Sequence, residues 1–485
     1  MRKTFAPQPT LGSHSISSIQ IPTKCRDEFP QFLRAMQHIY TTIELRDKVL
    51  GLLKTKICTK KRTGRQGMDL WTIFVLAGAR LCLNTDFDRL HYLSNNDNLL
   101  RQMLGVQDGI VRGREFELQT IIDNVSLLDE TTLREINLIL VEAGHKIVKK
   151  KETEALHVKI DSFVVEANVH FPTDYNLLYD SGRKCLDVLG YLIENNSAYG
   201  KGWRKREDWR DKLKNKMLTL SRSSADKSKN RATRLKKSAV EYLVVARQLS
   251  DKLDTIKPLG DLTLAEKVIF VQLDYYRAML RKHIDLVNRR LLKGEKIPQE
   301  EKIFSIFEPW VEWISKGKAH RQVELGKPAC IATDQWHFAI DWLVADHQSD
   351  NEMLIIILDS IRKRFQVSGC SGDKGFYSKE NVELVELFDM KAVIPKKGKL
   401  SLSDQLRESE PAFMKLRRKH SAIESNINEF EHRGLDRCLD KGIYGLQRYV
   451  GLAVIAYNHR RVGKILLDQD RKAAERNAVK RRLAA

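Results

Sequence analysis

Three acidic residues lie in sequence contexts that suggest a functional role. Asp161 interrupts the apolar segment LHVKIDSFVV, Asp373 lies in the glycine-rich stretch GCSGDKGF, and Glu424 follows a basic cluster. Carboxylates that meet around one point repel each other unless a cation lies between them, and their hard oxygen atoms suit Mg²⁺ or Mn²⁺. Two such ions about 4 Å apart activate a water or a 3′-hydroxyl toward a phosphodiester. If folding gathers these side chains, the sequence predicts metal-dependent phosphodiester chemistry.

Each of the three residues also has a purely structural interpretation. Asp161 could be a strand-edge residue, Asp373 could cap a glycine-containing turn, and Glu424 could be a solvated helix carboxylate. Glu166 and Glu429 are rival carboxylates in the same segments. Composition and spacing alone do not bring any of these side chains together.

The segments that carry the acids predict strands alternating with helices. LHVKIDSFVVEANVHF indicates one strand, or two joined by a bend, and ACIATDQ and HFAIDWLVA flank a short turn as in an antiparallel hairpin. A helix at about 350–365, the strand VSGCSG, a helix capped by Ser378, the strand KAVIPK and a helix through Glu424 follow. This order predicts an α/β fold with a mixed sheet. Asp161 and Asp373 would lie at the carboxyl ends of strands, where functional groups of such sheets collect.

Helical patterns fill the segments before and between these strands. Short apolar segments within 31–150 predict a cluster of short helices, which is either a plain scaffold or a DNA-binding unit of the helix-turn-helix kind. Thr132 and Glu135 have the spacing of a capping box. The apolar stripe over 269–291 and its partner near 240–249 predict a helical hairpin, packed within the chain or at a dimer interface.

Composition indicates a partner that is a polyanion. The 485-residue chain carries a net charge of +21, and its 42% hydrophobic content suffices for two to four folded domains. The N-terminus lacks the apolar core of a signal peptide, and the longest apolar segments are too short to span a bilayer, so we expect a cytoplasmic protein. The seven cysteines include no CxxC pair, which argues against structural zinc.

The most basic stretch is residues 201–237. It contains Arg204, Lys205 and Arg206, with Trp203 and Trp209 interleaved. Such a segment neutralises phosphates and predicts a salt-sensitive DNA contact. A solvated charged face is the alternative.

Four blocks in order resemble the insertion-sequence DDE transposases, in particular the ISNCY-like group. They are DSFVVEANVHFPTDYNLLYDSGR, FSIFEPWVEWISKGKAHRQVELG, GDKGFYSKENVE and HSAIESNINEFEHRGLDRCLDKGIYGLQRYVGLAVIAYN. The resemblance covers roughly residues 155–460. It implies an RNase H-like core in which Asp161, Asp373 and Glu424 are the catalytic, metal-binding triad with two Mg²⁺ or Mn²⁺ ions. It also implies transposon ends and target DNA as partners, a homodimer or larger oligomer on DNA, and a location at the bacterial nucleoid.

Basic residues beside the acids are candidate phosphate contacts. His420 lies one turn before Glu424 and could orient that carboxylate or contact a phosphate. The full set near the triad is Lys374, Arg417, Arg418, Lys419, His420, Arg433 and Arg437. For the two last arginines, salt bridges within the protein are the alternative.

These expectations define a domain plan and three functional hypotheses. The plan is a helical N-terminal domain (1–150), a first core segment (151–176), a basic helical insertion (177–300), a second core segment (301–435) and a basic helical tail (436–485). The leading hypothesis is a transposase that cleaves transposon ends and joins them to target DNA. A non-transposing nuclease with the same fold and a DNA-binding regulator are the alternatives.

Overall fold

The computed structural model describes residues 2–7, 14–25, 27–57, 67–106, 113–315 and 323–484. Two compact units divide the chain. The first combines Met1–Asn168 with Ile314–Ala485, and the second is Val169–Trp313. No helix within the described residues is both long enough and apolar enough to cross a membrane.

Helices of the first unit precede its sheet. They are α1 (Phe29–Thr41), α2 (Ile43–Ile57), α3 (Leu70–Cys82), α4 (Phe87–Asn96), α5 (Asn98–Leu104), α6 (Leu118–Val125) and α7 (Glu130–Ile147). Every residue of α3 is buried, so this helix is an interior scaffold and cannot lie in a DNA groove. The predicted capping box at Thr132 and Glu135 is wrong. The N-cap of α7 is Asp129, whose side chain accepts from the Thr132 N–H, because the helix begins earlier.

The strands form one mixed sheet. They are β1 (Leu156–Ala167), β2 (Glu312–Ser315), β3 (Val323–Thr333), β4 (Ala339–Val344), β5 (Val367–Gly372), β6 (Lys391–Val393) and β7 (Arg437–Cys438). In the first unit the order is β3-β1-β5-β6, with β4 beside β3 and β7 beside β1. β1, β3 and β4 pair antiparallel, whereas β5 and β7 run parallel to β1, and β6 runs parallel to β5. The predicted mixed α/β class and the predicted β3–β4 hairpin are confirmed.

Helices follow the later strands. They are α12 (Asp350–Arg362), α13 (Lys379–Leu387), α14 (Leu402–Ser409), α15 (Pro411–His420), α16 (Ala422–Phe430) and α17 (Ile443–Ala484). The predicted cap of α13 is confirmed, because the Ser378 hydroxyl accepts from the Asn381 N–H at 3.0 Å.

Alternation along β1 separates its two faces. Leu156, Val158 and Ile160 are fully buried and belong to the main core with residues of α12 and α13. Successive side chains of a strand point to opposite faces, so Lys159 and Asp161 share the other face. α16 packs against β1. Its Asn426 side chain donates to Thr333 Oγ1 at 3.4 Å, and Thr333 pairs with Lys159 in the sheet. The face that carries Asp161 is therefore the face that α16 covers.

The second unit contains four long helices around its own apolar core. They are α8 (Asp174–Asn195), α9 (Arg206–Ala225), α10 (Arg231–Asp254) and α11 (Leu264–Val287). α11 packs against α10, as the hairpin prediction requires, but also closely against α8. Leu243 and Leu249 lie in the core, whereas Val240 and Val244 are exposed. The predicted stripe on α10 therefore included two valines that do not belong to its buried face.

Candidate active site

The sheet brings the two predicted aspartates side by side. β1 and β5 run parallel with Ile160 opposite Gly372, and Asp161 and Asp373 are the next residue of each chain segment. Both side chains therefore lie side by side on the same face, where the pairing of the two strands ends. This is the carboxyl end of the parallel pair, where α/β sheets place their functional groups. Asp373 directly follows the carboxyl end of β5 as predicted, but Asp161 lies in the middle of β1, because β1 continues to Ala167 against β3.

Asp161 lies at an opening in the sheet. The pairing of β5 with β1 ends at Ile160, and β7 joins β1 only at Glu166. Between these points, the described pairings of β1 are with β3 alone. Asp161 therefore lies between the end of the β5 pairing and the start of the β7 pairing.

The surroundings of Asp161 disfavour the ionised form of its carboxyl group. Burial, and next the nearby Asp373, raise the pKa of Asp161 to about 6, with a smaller contribution from Asp350. The Ser162 N–H opposes this shift by donating to Asp161 Oδ1 at 2.8 Å. Carboxylates that repel each other in this way are stabilised by a cation between them.

His420 holds the second aspartate. Its buried ring lies 3.1 Å from the Ser371 hydroxyl through Nδ1 and 3.3 Å from Asp373 Oδ1 through Nε2. The hydrogen bond from His420 lowers the pKa of Asp373. The sequence analysis placed this histidine as a support for Glu424 or as a phosphate contact. Its hydrogen bonds go to Ser371 and Asp373, so it orients Asp373 and not Glu424, and a phosphate contact by His420 stays a prediction.

Glu424 lies across a cavity from Asp373. The cavity, of about 390 Å³, is lined by Asp373, Lys374, Arg417, His420 and Glu424 among others. The Glu424 side chain is exposed in the first turn of α16. The structure therefore places Glu424 and Asp373 on the walls of one cavity, next to the point where the β1–β5 pairing ends beside Asp161.

The three acids do not form a closed ligand shell. Among the residues that the structure describes, no three His, Cys, Asp or Glu side chains are arranged so that they could hold a metal ion as they stand. The donor atoms nevertheless fit Mg²⁺ or Mn²⁺, since all are carboxylate oxygens. The repulsion between Asp161 and Asp373 is the observation that favours a cation at this strand end.

The rival carboxylates are held by arginines. Glu166 lies 3.7 Å from Arg437, and Glu429 lies 3.1 Å from Arg460. Glu429 also lines a different cavity from Glu424. Of the two acids on α16, Glu424 is therefore the one that faces Asp373.

Asp350 is an acidic neighbour that the sequence analysis missed. Its Oδ1 accepts from the Ser162 hydroxyl at 2.7 Å, and its charge acts on Asp161. A signal for its position exists, because Ser349 and Glu352 have the spacing of a helix start and Asp350 follows the first of them. Its proximity to Asp161 depends on packing between α12 and the sheet, which the spacing does not reveal.

Of the predicted phosphate contacts on α15, Arg417 and His420 line the cavity, and Arg418 and Lys419 lie between them in the chain. Arg417, Arg418 and Lys419 are exposed in the last turn of this helix, and Arg417 lies 3.6 Å from Glu408. Lys374 is exposed in the cavity wall next to Asp373. Partial burial, then the charges of Lys159 and Lys419, lower the pKa of the half-buried His157. Positive potential therefore surrounds the acidic strand end.

The two remaining arginines near the triad have acidic partners. Arg433 forms an ion pair with Glu28, and Arg437 is the partner of Glu166. These pairs match the salt-bridge alternative considered above. A role in DNA binding for either arginine stays a prediction.

The basic stretch of the second unit exposes its cations but not its first tryptophan. Arg204 and Lys205 are exposed, and Arg206 lies 3.3 Å from Glu207. Trp203 is buried in the core of that unit, where Trp209 packs as well. Trp203 is therefore unable to stack on a base, and DNA contact by this stretch would rest on charge.

Comparisons with protein-family models, with curated proteins and with solved structures return no match. The function must therefore be inferred from the residues of the site and from the four sequence blocks that resemble DDE transposases.

Proposed function

We propose that this protein is a DDE-type DNA transposase with an RNase H-like core, which cleaves transposon ends and joins them to target DNA. The observation that carries the proposal is the register of β1 and β5, which sets Asp161 and Asp373 side by side where the pairing of these strands ends. The cavity shared by Asp373 and Glu424 adds the third acid of the predicted triad.

The sheet supports this interpretation. An antiparallel set β1-β3-β4 continues into the parallel strands β5 and β6, and α16 lies on the face that carries Asp161. A triad whose members come from the first strand, a later parallel strand and a following helix needs such an arrangement. The second unit is then an insertion between β1 and β3.

The residues of the site have separate roles in a phosphodiester displacement. Asp161, Asp373 and Glu424 would hold Mg²⁺ or Mn²⁺, which when bound would neutralise charge that develops at the phosphorus centre. His420 keeps Asp373 ionised and oriented. Lys374 and Arg417 stand in the cavity wall, where cations bind phosphate oxygens. Water attack at the transposon end and attack of the freed 3′-hydroxyl on target DNA are both in-line displacements, so one site serves both.

The test uses DNA that flanks the gene. A duplex that carries the terminal inverted repeat found there is incubated with a supercoiled target plasmid and Mg²⁺ or Mn²⁺. We expect the wild type to cleave the repeat and join its 3′ end to the plasmid. Asp161→Asn and Asp373→Asn should each lower both products by at least about 100-fold, because a missing ligand removes several kcal/mol of charge stabilisation. Glu383→Gln, an exposed glutamate of α13 outside the cavity, is the control and should retain activity.

Two outcomes would overturn the proposal in favour of an alternative. Nicked DNA without any joined product would indicate a nuclease. Binding of the repeat without cleavage by the wild type, at any metal concentration, would indicate a DNA-binding regulator.

A further inference from the structure

A second cavity lies on the far side of the helix that carries Glu424. We call it the arginine pocket. It has a volume of about 410 Å³, and its lining includes Asn426, Glu429, Arg433, Arg460, Arg461 and Lys464. They come from α16, from the turn after it and from α17.

Positive charge exceeds negative charge in the arginine pocket. Glu429 is the partner of Arg460, and Glu28 is the partner of Arg433. Arg461 and Lys464 have no carboxylate partner among the residues that the structure describes. Two cations that face one cavity repel each other, so the pocket favours an anion.

Arg461 is held in a geometry that suits a phosphate. Its Nε donates to the Trp336 carbonyl oxygen at 3.0 Å, which fixes the guanidinium plane. The two terminal nitrogens have no hydrogen-bond partner within the described residues. A guanidinium fork with two free donors matches two oxygens of a phosphate.

Buried polar groups make the pocket a built site and not an open surface. Arg460 is 4% exposed and Asn426 is 7% exposed. The side chain of Asn426 also contacts Thr333 at 3.4 Å, which ties the pocket to the sheet next to the candidate active site. The remaining cations, Arg461 and Lys464, are then the groups available to a ligand.

The position of the pocket relative to Glu424 sets the ligand class. Glu424 faces the first cavity, and Glu429 faces the arginine pocket five residues later on α16. Five residues of helix rise about 7.5 Å and turn through about 140°, so the two cavities open on different sides of α16. DNA carries a phosphate at every nucleotide, so a duplex bound at the first cavity can present a further phosphate to the second.

We infer that the arginine pocket binds a backbone phosphate of the same DNA whose reacting phosphodiester lies at Asp161 and Asp373. This inference rests on the proposed function for the identity of the ligand. The chemistry of the pocket alone, a phosphate between Arg461 and Lys464, does not depend on cleavage.

The first arm of the experiment uses inorganic phosphate as the probe. Calorimetric titration without divalent metal compares the full-length wild type with Arg461→Gln, Lys464→Gln and the control Lys54→Gln. Lys54 is an exposed lysine of α2, so its variant changes the net charge equally. We expect phosphate affinity to fall at least about tenfold in both pocket variants and to be unchanged in the control. Equal affinity in all four proteins would overturn the inference. If Arg461→Gln does not fold, Lys464→Gln alone decides.

The second arm separates DNA from free phosphate. Binding of a fluorescent duplex in EDTA is measured against salt concentration for the same proteins. Loss of one phosphate contact should reduce the slope of log K against log[salt] by about 0.9, for unrelated duplex sequences alike. An unchanged slope together with lost phosphate binding would assign the pocket to a free phosphate and overturn the DNA inference.

Asp161→Asn distinguishes failure here from failure of the proposed function. This variant is assayed for cleavage alone, so it tests the proposed function without entering either arm. If Asp161→Asn still cleaves like the wild type, the proposed function fails whatever the two arms report. If both arms fail while Asp161→Asn is inactive, the pocket inference alone fails.

Discussion

Asp161 is placed where its charge costs stability, whereas His420 stabilises the charge of the neighbouring Asp373. Their strands are neighbours, their side chains share a face, and the pKa of Asp161 rises because burial and Asp373 disfavour its charge. A chain selected only for stability would not keep two facing carboxylates there. Exceptions to the ordinary rules of packing and charge are expected at functional sites.

Because the charge of Asp161 is disfavoured in the folded chain, we expect Asp161→Asn to stabilise the metal-free protein at neutral pH. The pKa of Asp161 lies at about 6 in the folded chain and near 3.8 in the unfolded chain. Between these values only the folded chain keeps the proton, so the free energy of unfolding falls as the pH rises through this window. We expect a gain of about 1–2 kcal/mol at pH 7.5, below the roughly 3 kcal/mol implied by the shift because the side chain is partly exposed, and almost none at pH 4.

Urea denaturation at both pH values, in EDTA, measures the effect. Asp359→Asn is the control, because Arg362 and Lys363 stabilise the Asp359 charge and lower its pKa. Its variant should not be stabilised at pH 7.5. A destabilised Asp161→Asn at pH 7.5 would contradict the electrostatic account of the site.

His420 is expected to act as a positioning residue. His420→Asn removes the ring that bridges Ser371 and Asp373, so the Asp373 carboxylate loses its orientation. We expect the Mn²⁺ concentration for half-maximal DNA cleavage to rise about 10- to 100-fold, with a smaller effect on the rate at saturating metal. His432→Asn, which changes an exposed histidine near α16, is the control. Equal metal dependence of the two variants would exclude the positioning role.

The residues of the site were predictable to different degrees. Asp161 is recognisable because an acid inside an apolar strand is unusual, and Asp373 because it follows a strand in a glycine-rich segment. Asp350 and Ser371 carry no such signal, since their importance arises from the strand register and from where α12 begins. The orientation of His420 toward Asp373 likewise depends on how α15 packs, which spacing along the chain does not specify.

At the scale of elements, the two-residue alternation of strands predicted β3 and β4, and a single capping residue predicted the start of α13. β3, β4 and the cap of α13 follow from local sequence, because turn geometry and the Ser378 hydroxyl act between near neighbours. The start of α7 and the buried face of α10 were predicted poorly. Asp129 competes with Thr132 as the cap, and the exposed Val240 shows that an apolar residue can lie on an outer face.

Close packing of α1 against α17 gives a prediction at this scale. A Cβ on Gly463 would overlap the backbone carbonyl of Gln31, so Gly463→Ala must move the two helices apart. We expect a loss of about 1–3 kcal/mol in the free energy of unfolding. The same change at Gly51, on α2 with no atom within 4 Å of the new Cβ, should stabilise by up to about 1 kcal/mol. Equal effects in urea denaturation would contradict the packing described here.

At the scale of the whole molecule, the chain forms two units with separate apolar cores. The sequence indicates a long helical region between the first strand and the hairpin, since its apolar positions repeat at helical spacing. It does not indicate that α11 would pack most closely on α8, because periodicity identifies a buried face without naming its partner helix.

Because the second unit has its own apolar core, we expect the fragment Val169–Trp313 to fold alone. It contains α8 to α11 and the residues that they bury. We expect a helical circular dichroism spectrum and a cooperative thermal transition. A fragment that ends at Asp254 lacks α11, whose contacts cover α8 and α10, and should not unfold cooperatively. A non-cooperative transition of the longer fragment would contradict the independence of this unit.

Asp161, Asp373 and Glu424 are proposed to bind divalent cations jointly. Electron paramagnetic resonance of Mn²⁺ measures binding directly in the wild type, Asp161→Asn, Asp373→Asn and Glu424→Gln, with Glu429→Gln as the control. The account predicts that each of the first three variants weakens Mn²⁺ binding by at least about tenfold, while the control binds like the wild type. Wild-type affinity in Asp161→Asn and Asp373→Asn would contradict it.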